Sequence, residues 1–289
     1  MAMREHDRLN NWRTAALLAP ATLWFLIMLI MPLIVILIFS FGERAAVGGY
    51  GGGFTFEQYG NLPARLKAFQ NTLTYAPLGT LMSLAVAYPL AYFLALKVDR
   101  RFKLLLLVLV IVPFWTSLLI RTYAWIYILG GRGIPAILEW VGIEGVRLIN
   151  TPTAVLIGIV YGYLPLMVFP IYVSLEKLDR RLLEASSDLG GGPVKTFLQI
   201  TLPLSMPGIA TGCMLVFILL MGEFLIPAFL GGGKVFFIGN AMVDLFLQSR
   251  NWPFGSAVAV SLVIIMLITV SIYMRLTMRN KTGADQPLM

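Results

Sequence analysis

Six apolar runs, each long enough to cross a lipid bilayer, take up most of the 289-residue chain. A hydrocarbon core about 30 Å thick needs about 20 helical residues, since each adds about 1.5 Å of rise. The runs cover roughly residues 15–41, 72–96, 104–129, 153–175, 205–230 and 256–278, with no charge inside them except Arg121, Glu223 and, in the last turn of the sixth, Arg275. In lipid every backbone N–H and C=O must find a partner within the protein, which helices achieve alone. With 58% hydrophobic residues, 12% charged and a mean hydropathy of +0.83, a water-soluble surface is excluded. The expected fold class is therefore all-α integral membrane, with six transmembrane helices. Residues 1–14 form an N-terminal segment, 15–278 the membrane domain with a long loop at 176–204, and 279–289 a tail.

The net charge of +8 does not indicate nucleic acid, because the basic residues flank the apolar runs instead of forming a patch. Six spans put both termini on one side. Fourteen of the 22 Lys and Arg lie on that side and seven on the other, with Arg121 inside a span. Cytoplasmic loops carry the excess of Lys and Arg, so both termini and the 176–204 loop are expected to be cytoplasmic. The first run is too long for a signal peptide and no small-residue cleavage site follows it, so it is expected to remain as a helix. The Gly48–Gly53 region reads as a flexible tract.

Absences narrow the chemistry. One cysteine, Cys213, allows no internal disulfide, and one histidine, His6, supplies neither a histidine metal cluster nor a catalytic histidine network. No catalytic or metal site is expected. Gly231-Gly232-Gly233-Lys234 only superficially resembles a phosphate-binding loop, and it lies outside without the flanking strand and helix. The chain is thus not expected to hydrolyse ATP. Ion-coupled carriers place several ionisable groups at mid-membrane, whereas only Arg121 and Glu223 are embedded here. An external energy source is implied.

The 176–204 loop points to one. Leu182, Leu183, Ala185 and Leu189 recur at helical spacing, with Glu184 and Asp188 four residues apart, so a short amphipathic helix should end at Gly190. Such a helix can dock in a partner's groove or lie on lipid. A second helix over 193–200 should lead into the fifth span.

Glu184-Ala185, Asp188-Leu189-Gly190, Phe197, Ile200, Leu202-Pro203 and Pro207-Gly208-Ile209 resemble the coupling loop of ABC importer permeases. Ser186 and Gly191 depart from that family's Glu-Ala-Ala and Gly-Ala; Gly191 and Gly192 should loosen the helix end. The run from Ile111 to Ser117 with Leu119-Ile120-Arg121 and Tyr123-Ala124-Trp125, the run from Gly222 to Pro227, and Asn251-Trp252-Pro253-Phe254-Gly255 extend the likeness. Together they resemble the first permease subunit of the spermidine/putrescine importers over nearly the full length. The resemblance implies the type I importer permease fold in a bacterial inner membrane. It implies as partners a related second permease, two cytoplasmic ATPase subunits and an extracytoplasmic polyamine-binding protein, besides membrane lipid. It implies no cofactor on this chain, ATP and Mg being used by the ATPase, and it makes Glu184, Ala185, Asp188, Leu189 and Gly190 the ATPase-coupling residues. Related permeases carry opines, quaternary amines or amino-acid derivatives, and for a carboxylate-bearing cargo Arg121 would be the more useful charge. A stand-alone ion-coupled carrier or channel is the alternative of a different class.

Glu223 inside a helix costs about 2.5 to 3.5 kcal/mol on insertion scales and needs a partner or a watery cavity. Three readings are open: an ion pair with Arg121, which shares its depth; receipt of a substrate ammonium; or a pair with the sister subunit. The substrate reading predicts that Glu223→Gln lowers uptake with assembly and ATPase coupling intact. Trp115 and Tyr123 are the aromatic candidates for the same path, since a ring face attracts an ammonium, while Tyr75, Tyr88 and Tyr92 read as packing. Gly158-x-x-x-Gly162 and Gly208-x-x-x-Gly212, with Pro165, Pro170, Pro207 and Pro227, mark either close helix packing or a pivot.

Overall fold

A computed structural model describes residues 2–282, with side chains for residue 14 and residues 16–275. Met1 and the part of the expected tail from residue 283 on lie outside the described residues. The chain forms two compact units, residues up to Pro63 with Asp244–Ser261, and Ala64–Val243 with Leu262 onward. All regular structure is helical apart from an isolated Arg44–Tyr50 bridge among the described residues. Among the described residues five helices are long and apolar enough to cross a membrane, or six if one bent pair is taken as a single span.

In the first unit, α1 (Ala2–Ser40) contains the most apolar span, 16–40, of which only Ser40 at its end is buried within this chain. A short helix, α2 (Glu57–Gly60), follows. The glycine tract between them is ordered, contrary to the flexible reading. Glu43 donates its N–H to the Gly52 carbonyl and Gly51 returns one to Glu43, both at 2.8 Å. Gly48, Gly49, Gly52 and Gly53 all adopt positive φ, which glycine reaches without a steric penalty and a β-carbon would oppose.

The second unit is built on α3 (Leu66–Tyr92), α7 (Pro152–Glu176) and α10 (Leu202–Met221), which pack on one another. Small residues make the close approach possible: a β-carbon on Gly79 of α3 would stand 2.8 Å from Ile159 Cγ2 of α7. Ile159, Met167, Ile171 and Leu175 of α7 and Leu220 of α10 are fully buried, whereas Leu81 and Leu215 face outward. Apolar outside and small inside is the arrangement lipid favours. Thr151 caps α7, its hydroxyl accepting from Ala154 N at 3.2 Å, and Pro152 takes the first helical position, where no N–H is needed.

The third and fifth expected spans are not continuous. The third is α4 (Arg100–Trp115) followed by α5 (Leu118–Leu129), bent by 93° at the break, with a short α6 (Ile134–Trp140) beyond. Pro113 removes one helical donor, and the Thr116 hydroxyl takes up the Pro113 carbonyl at 2.7 Å while Thr116 and Ser117 turn extended. The fifth begins earlier than expected. After α8 (Arg180–Asp188), α9 (Pro193–Thr196) continues through a π-turn (Phe197–Thr201) into α10 without interruption, 29 residues in all. It ends at Gly222, and α11 (Leu225–Leu230) and α12 (Ile238–Val243) are separate short helices. Glu223 thus lies at a break, not inside a helix. The last helix, α13, runs over Trp252–Thr282.

Candidate functional site

The long loop forms the expected amphipathic helix. Asp179 caps α8 by accepting from Arg181 N at 3.0 Å, and the helix stops where Gly190 takes φ +76°. Glu184, Ala185, Asp188, Leu189 and Gly190 are all exposed, and no residue of α8 is buried within this chain. Leu189, an apolar side chain at 87% exposure, is not covered by anything here. Loosening at Gly191 is not what the geometry gives. Gly191 N donates to Ser186 O at 2.8 Å, a β-carbon at 191 would sit 2.7 Å from that carbonyl oxygen, and the Ser186 and Thr196 hydroxyls meet at 2.7 Å. The two departures from the family pattern therefore act together: glycine lets α8 fold close, and serine ties it to α9. Because α9 is continuous with α10, the loop is attached to a helix about 40 Å long at 1.5 Å per residue.

At the other end of that helix stands Glu223, 5% exposed. One carboxylate oxygen accepts from the N–H groups of Phe224, Leu225 and Ile226 at 2.9, 2.7 and 3.1 Å, and the other accepts from the Tyr163 hydroxyl of α7. The carboxylate is the cap that starts α11, where first-turn N–H groups lack helical partners and the helix dipole favours negative charge. Asn240 of α12 secures the same break, donating to the Phe224 carbonyl at 2.6 Å and accepting from Phe237 N at 3.1 Å. No Arg121–Glu223 ion pair forms among the described residues. Arg121, 9% exposed, instead places its guanidinium 5.6 Å from the Phe114 ring centre, and its Nε has no hydrogen-bond partner.

Tyr163, Asn240 and Thr196 were not singled out by the sequence, and Ser186 was noted only as a departure from the family pattern. Tyr163 stands beside Gly162 in the fourth span, but Tyr161 and Tyr172 of the same span offered the same signal.

The aromatic candidates differ sharply from the charged ones in access. Trp115, at the end of α4, is 82% exposed, and Tyr123 is 58% exposed with one side tilted against Phe229 at 5.3 Å. Tyr75 packs on Phe237, and Tyr88 and Tyr92 pack edge-on against Phe197. The small-residue pairs are close contacts: a β-carbon would meet Ile226 Cγ2 at 2.9 Å on Gly158 and Ile226 Cδ1 at 3.5 Å on Gly162. A β-carbon on Gly208 would press on the Pro170 carbonyl and stand 2.7 Å from Ser174 Cβ, and one on Gly212 would stand 2.9 Å from Met167 Sδ. Pro207 lies inside α10, Pro165 and Pro170 inside α7, and Pro227 in α11.

Residues 87–280 match the model of the binding-protein-dependent transport system inner membrane component. The chain belongs to that family. Its members are transport components, so this family member is a permease and not an enzyme. It is 41% identical over 257 residues to the spermidine/putrescine transport system permease protein PotB of Haemophilus influenzae, covering 87% of this chain and 90% of that one. The Escherichia coli PotB is 40% identical, with 87% and 93% covered, and the E. coli inner membrane ABC transporter permease YdcU is 31% identical, with 74% and 72% covered. Among solved structures, a bacterial ABC transporter that imports the acidic polysaccharide alginate superposes with a TM-score of 0.77 at 19% identity, covering 96% of this chain and 99% of that one. The alginate transporter in complex with its pentasaccharide-bound periplasmic protein gives 0.78. These structures share the ABC importer permease fold.

Proposed function

We propose that the chain is one of two permease subunits in an ATP-driven importer of polyamines, fed by an extracytoplasmic binding protein. The observation that carries the cargo is the 41% identity to a spermidine/putrescine permease across nearly the full length of both chains. Two cytoplasmic ATPases supply the energy, Mg-ATP binding to them and not to this chain, and the second permease is a related but different polypeptide. Both termini and α8 are cytoplasmic, as the bias of Lys and Arg favours.

The ATPase seats on the open face of α8 around Glu184, Ala185, Asp188, Leu189 and Gly190. Its movement passes through the Ser186–Thr196 tie into the continuous α9–α10 helix, and from there to the capped break at Glu223. The break holds α11, whose Ile226 and Leu230 press on Gly158 and Gly162 and whose neighbour Phe229 packs on Tyr123. Displacement of α8 is thereby delivered to the region where cargo passes, with Gly208 and Gly212 as the contact about which α10 moves on α7.

Trp115 and Tyr123 offer ring faces to the substrate ammonium, an attraction of about 0.5 to 2 kcal/mol per ring. Glu223 already accepts four hydrogen bonds, which favours a positioning role for it in the path over direct contact with cargo. Arg121, buried against Phe114, is not open to a carboxylate, which disfavours the opine and amino-acid cargoes. The test is uptake of labelled putrescine and spermidine into proteoliposomes. Transport should require the binding protein, the ATPase and ATP; ion-driven uptake by this chain alone would overturn the proposal.

A further inference from the structure

On the face of the second unit that the proposed orientation makes cytoplasmic, a polar cavity of about 450 Å³ opens between the end of α3, the start of α4 and the α7–α8 turn. Lys97, Arg100, Lys103 and Arg180 line it, against Asp99 and Glu176. Lys103 is committed to the wall: its ammonium reaches Glu176 Oε1 at 3.1 Å and the Ala95 carbonyl at 3.0 Å. Lys97, Arg100 and Arg180 make no ion pair or hydrogen bond through their side chains among the described residues, Arg100 acting on Glu176 only through space, so three exposed cations line one opening. The floor is apolar, with Ala95 and Leu178 buried. In the first turns of α4, which borders the cavity, the apolar side chains of Phe102, Leu104 and Leu105 are exposed.

Cations without ion-pair partners, an opening for a polar head and exposed apolar residues beside it describe an amphiphile with an anionic head. We propose that this cavity binds the phosphate headgroup of an anionic phospholipid, with the acyl chains lying over α4. The bound lipid would hold the α7–α8 turn, and so the root of α8, against the start of α4. A phosphate group is the shared chemistry, and soluble phosphate is the other possible source. The apolar residues of α4 favour the lipid.

The assembled complex, purified in mild detergent, is titrated with dioleoylphosphatidylglycerol, the matched phosphatidylcholine and inorganic phosphate, with bound ligand counted by native mass spectrometry. Phosphatidylglycerol is expected to bind in preference to phosphatidylcholine and to weaken as salt rises. Each cation removed should weaken it about fivefold, so Lys97→Gln with Arg180→Gln should lose about 25-fold. Arg101→Gln, one residue from the cavity lining, should stay within about twofold. Melting in phosphatidylcholine checks that the variants fold, and the salt dependence of the unmodified complex tests the proposal without any variant. Equal retention of the two lipids, unchanged binding in the double variant, or inorganic phosphate binding as tightly as the lipid would each overturn it, as would a cavity closed to lipid by the ATPase.

Discussion

Glu223 gives the sharpest separation between a side chain that holds the fold and one that holds cargo. Glu223→Ala would strand three backbone donors at the start of α11 and the Tyr163 hydroxyl. An unsatisfied buried donor costs about 1 to 3 kcal/mol. The Phe224 and Leu225 N–H groups are only part-buried and Ile226 N is buried, so a total of about 3 to 5 kcal/mol follows. Glu223→Gln behaves differently. Its carbonyl oxygen still accepts from the backbone, and the Tyr163 hydroxyl can rotate to accept from the new amide. The charge assistance of about 1 kcal/mol per bond is lost, but so is the cost of about 2.5 to 3.5 kcal/mol for holding a charge in the membrane. The two nearly cancel, leaving Gln within about 1 kcal/mol of the original. Purified complexes are melted in detergent, where about 2 °C per kcal/mol puts the Ala variant roughly 6 to 10 °C lower, and uptake is measured alongside. Gln should keep both stability and most uptake, and Ala should lose both. If both variants melt normally and neither transports, the carboxylate serves cargo and the cap assignment fails.

Other expectations follow from the same geometry. Trp115→Ala should leave melting unchanged, since the ring is exposed, while raising the apparent KM for polyamine about 3- to 30-fold, the equivalent of one cation–π contact; an unchanged KM would remove Trp115 from the path. Gly208→Ala should cost about 1 to 3 kcal/mol by pressing on the Pro170 carbonyl, and Gly208→Leu should abolish uptake without abolishing ATP hydrolysis, which normal transport in the Leu variant would refute. Gly191→Ala should uncouple, with more ATP consumed per polyamine moved, because the added carbon meets Ser186 O at 2.7 Å; an unaltered ratio would mean that the α8–α9 tie is not needed. Tyr163→Phe should cost about 1.5 to 3 kcal/mol, the range for a hydrogen bond to a charged group, read as a lower melting temperature.

The membrane architecture was legible because lipid imposes one rule, that apolar helices satisfy their own backbone, and hydropathy reads it directly. The amphipathic helix α8 was legible too, since its leucine spacing and Gly190 are local signals. What could not be read were the two breaks. Pro113 was not marked as a bend, and proline alone often only kinks a helix, whereas here α4 and α5 meet at 93° with the Thr116 hydroxyl on the Pro113 carbonyl. At Glu223 the sequence offered an acid in an apolar run, which left a pair with Arg121, a substrate ammonium and the sister subunit open as partners. The carboxylate goes to its own backbone instead, because a helix start beside it supplies three donors at once, and a residue count along the sequence does not show that the helix ends before Glu223. The ordered glycine tract fails for a related reason: composition says that glycine can move, while hydrogen bonds from Glu43 and Gly51 decide that here it does not.

The central claim, that force enters at α8, is tested most directly by placing aspartate at Leu182 and Leu189 together. Both side chains are exposed in this chain, so the variant should melt as the original does. The ATPase should no longer copurify, and ATP-driven polyamine uptake should fall to background. A variant that still holds its ATPase and transports at the original rate would contradict the account.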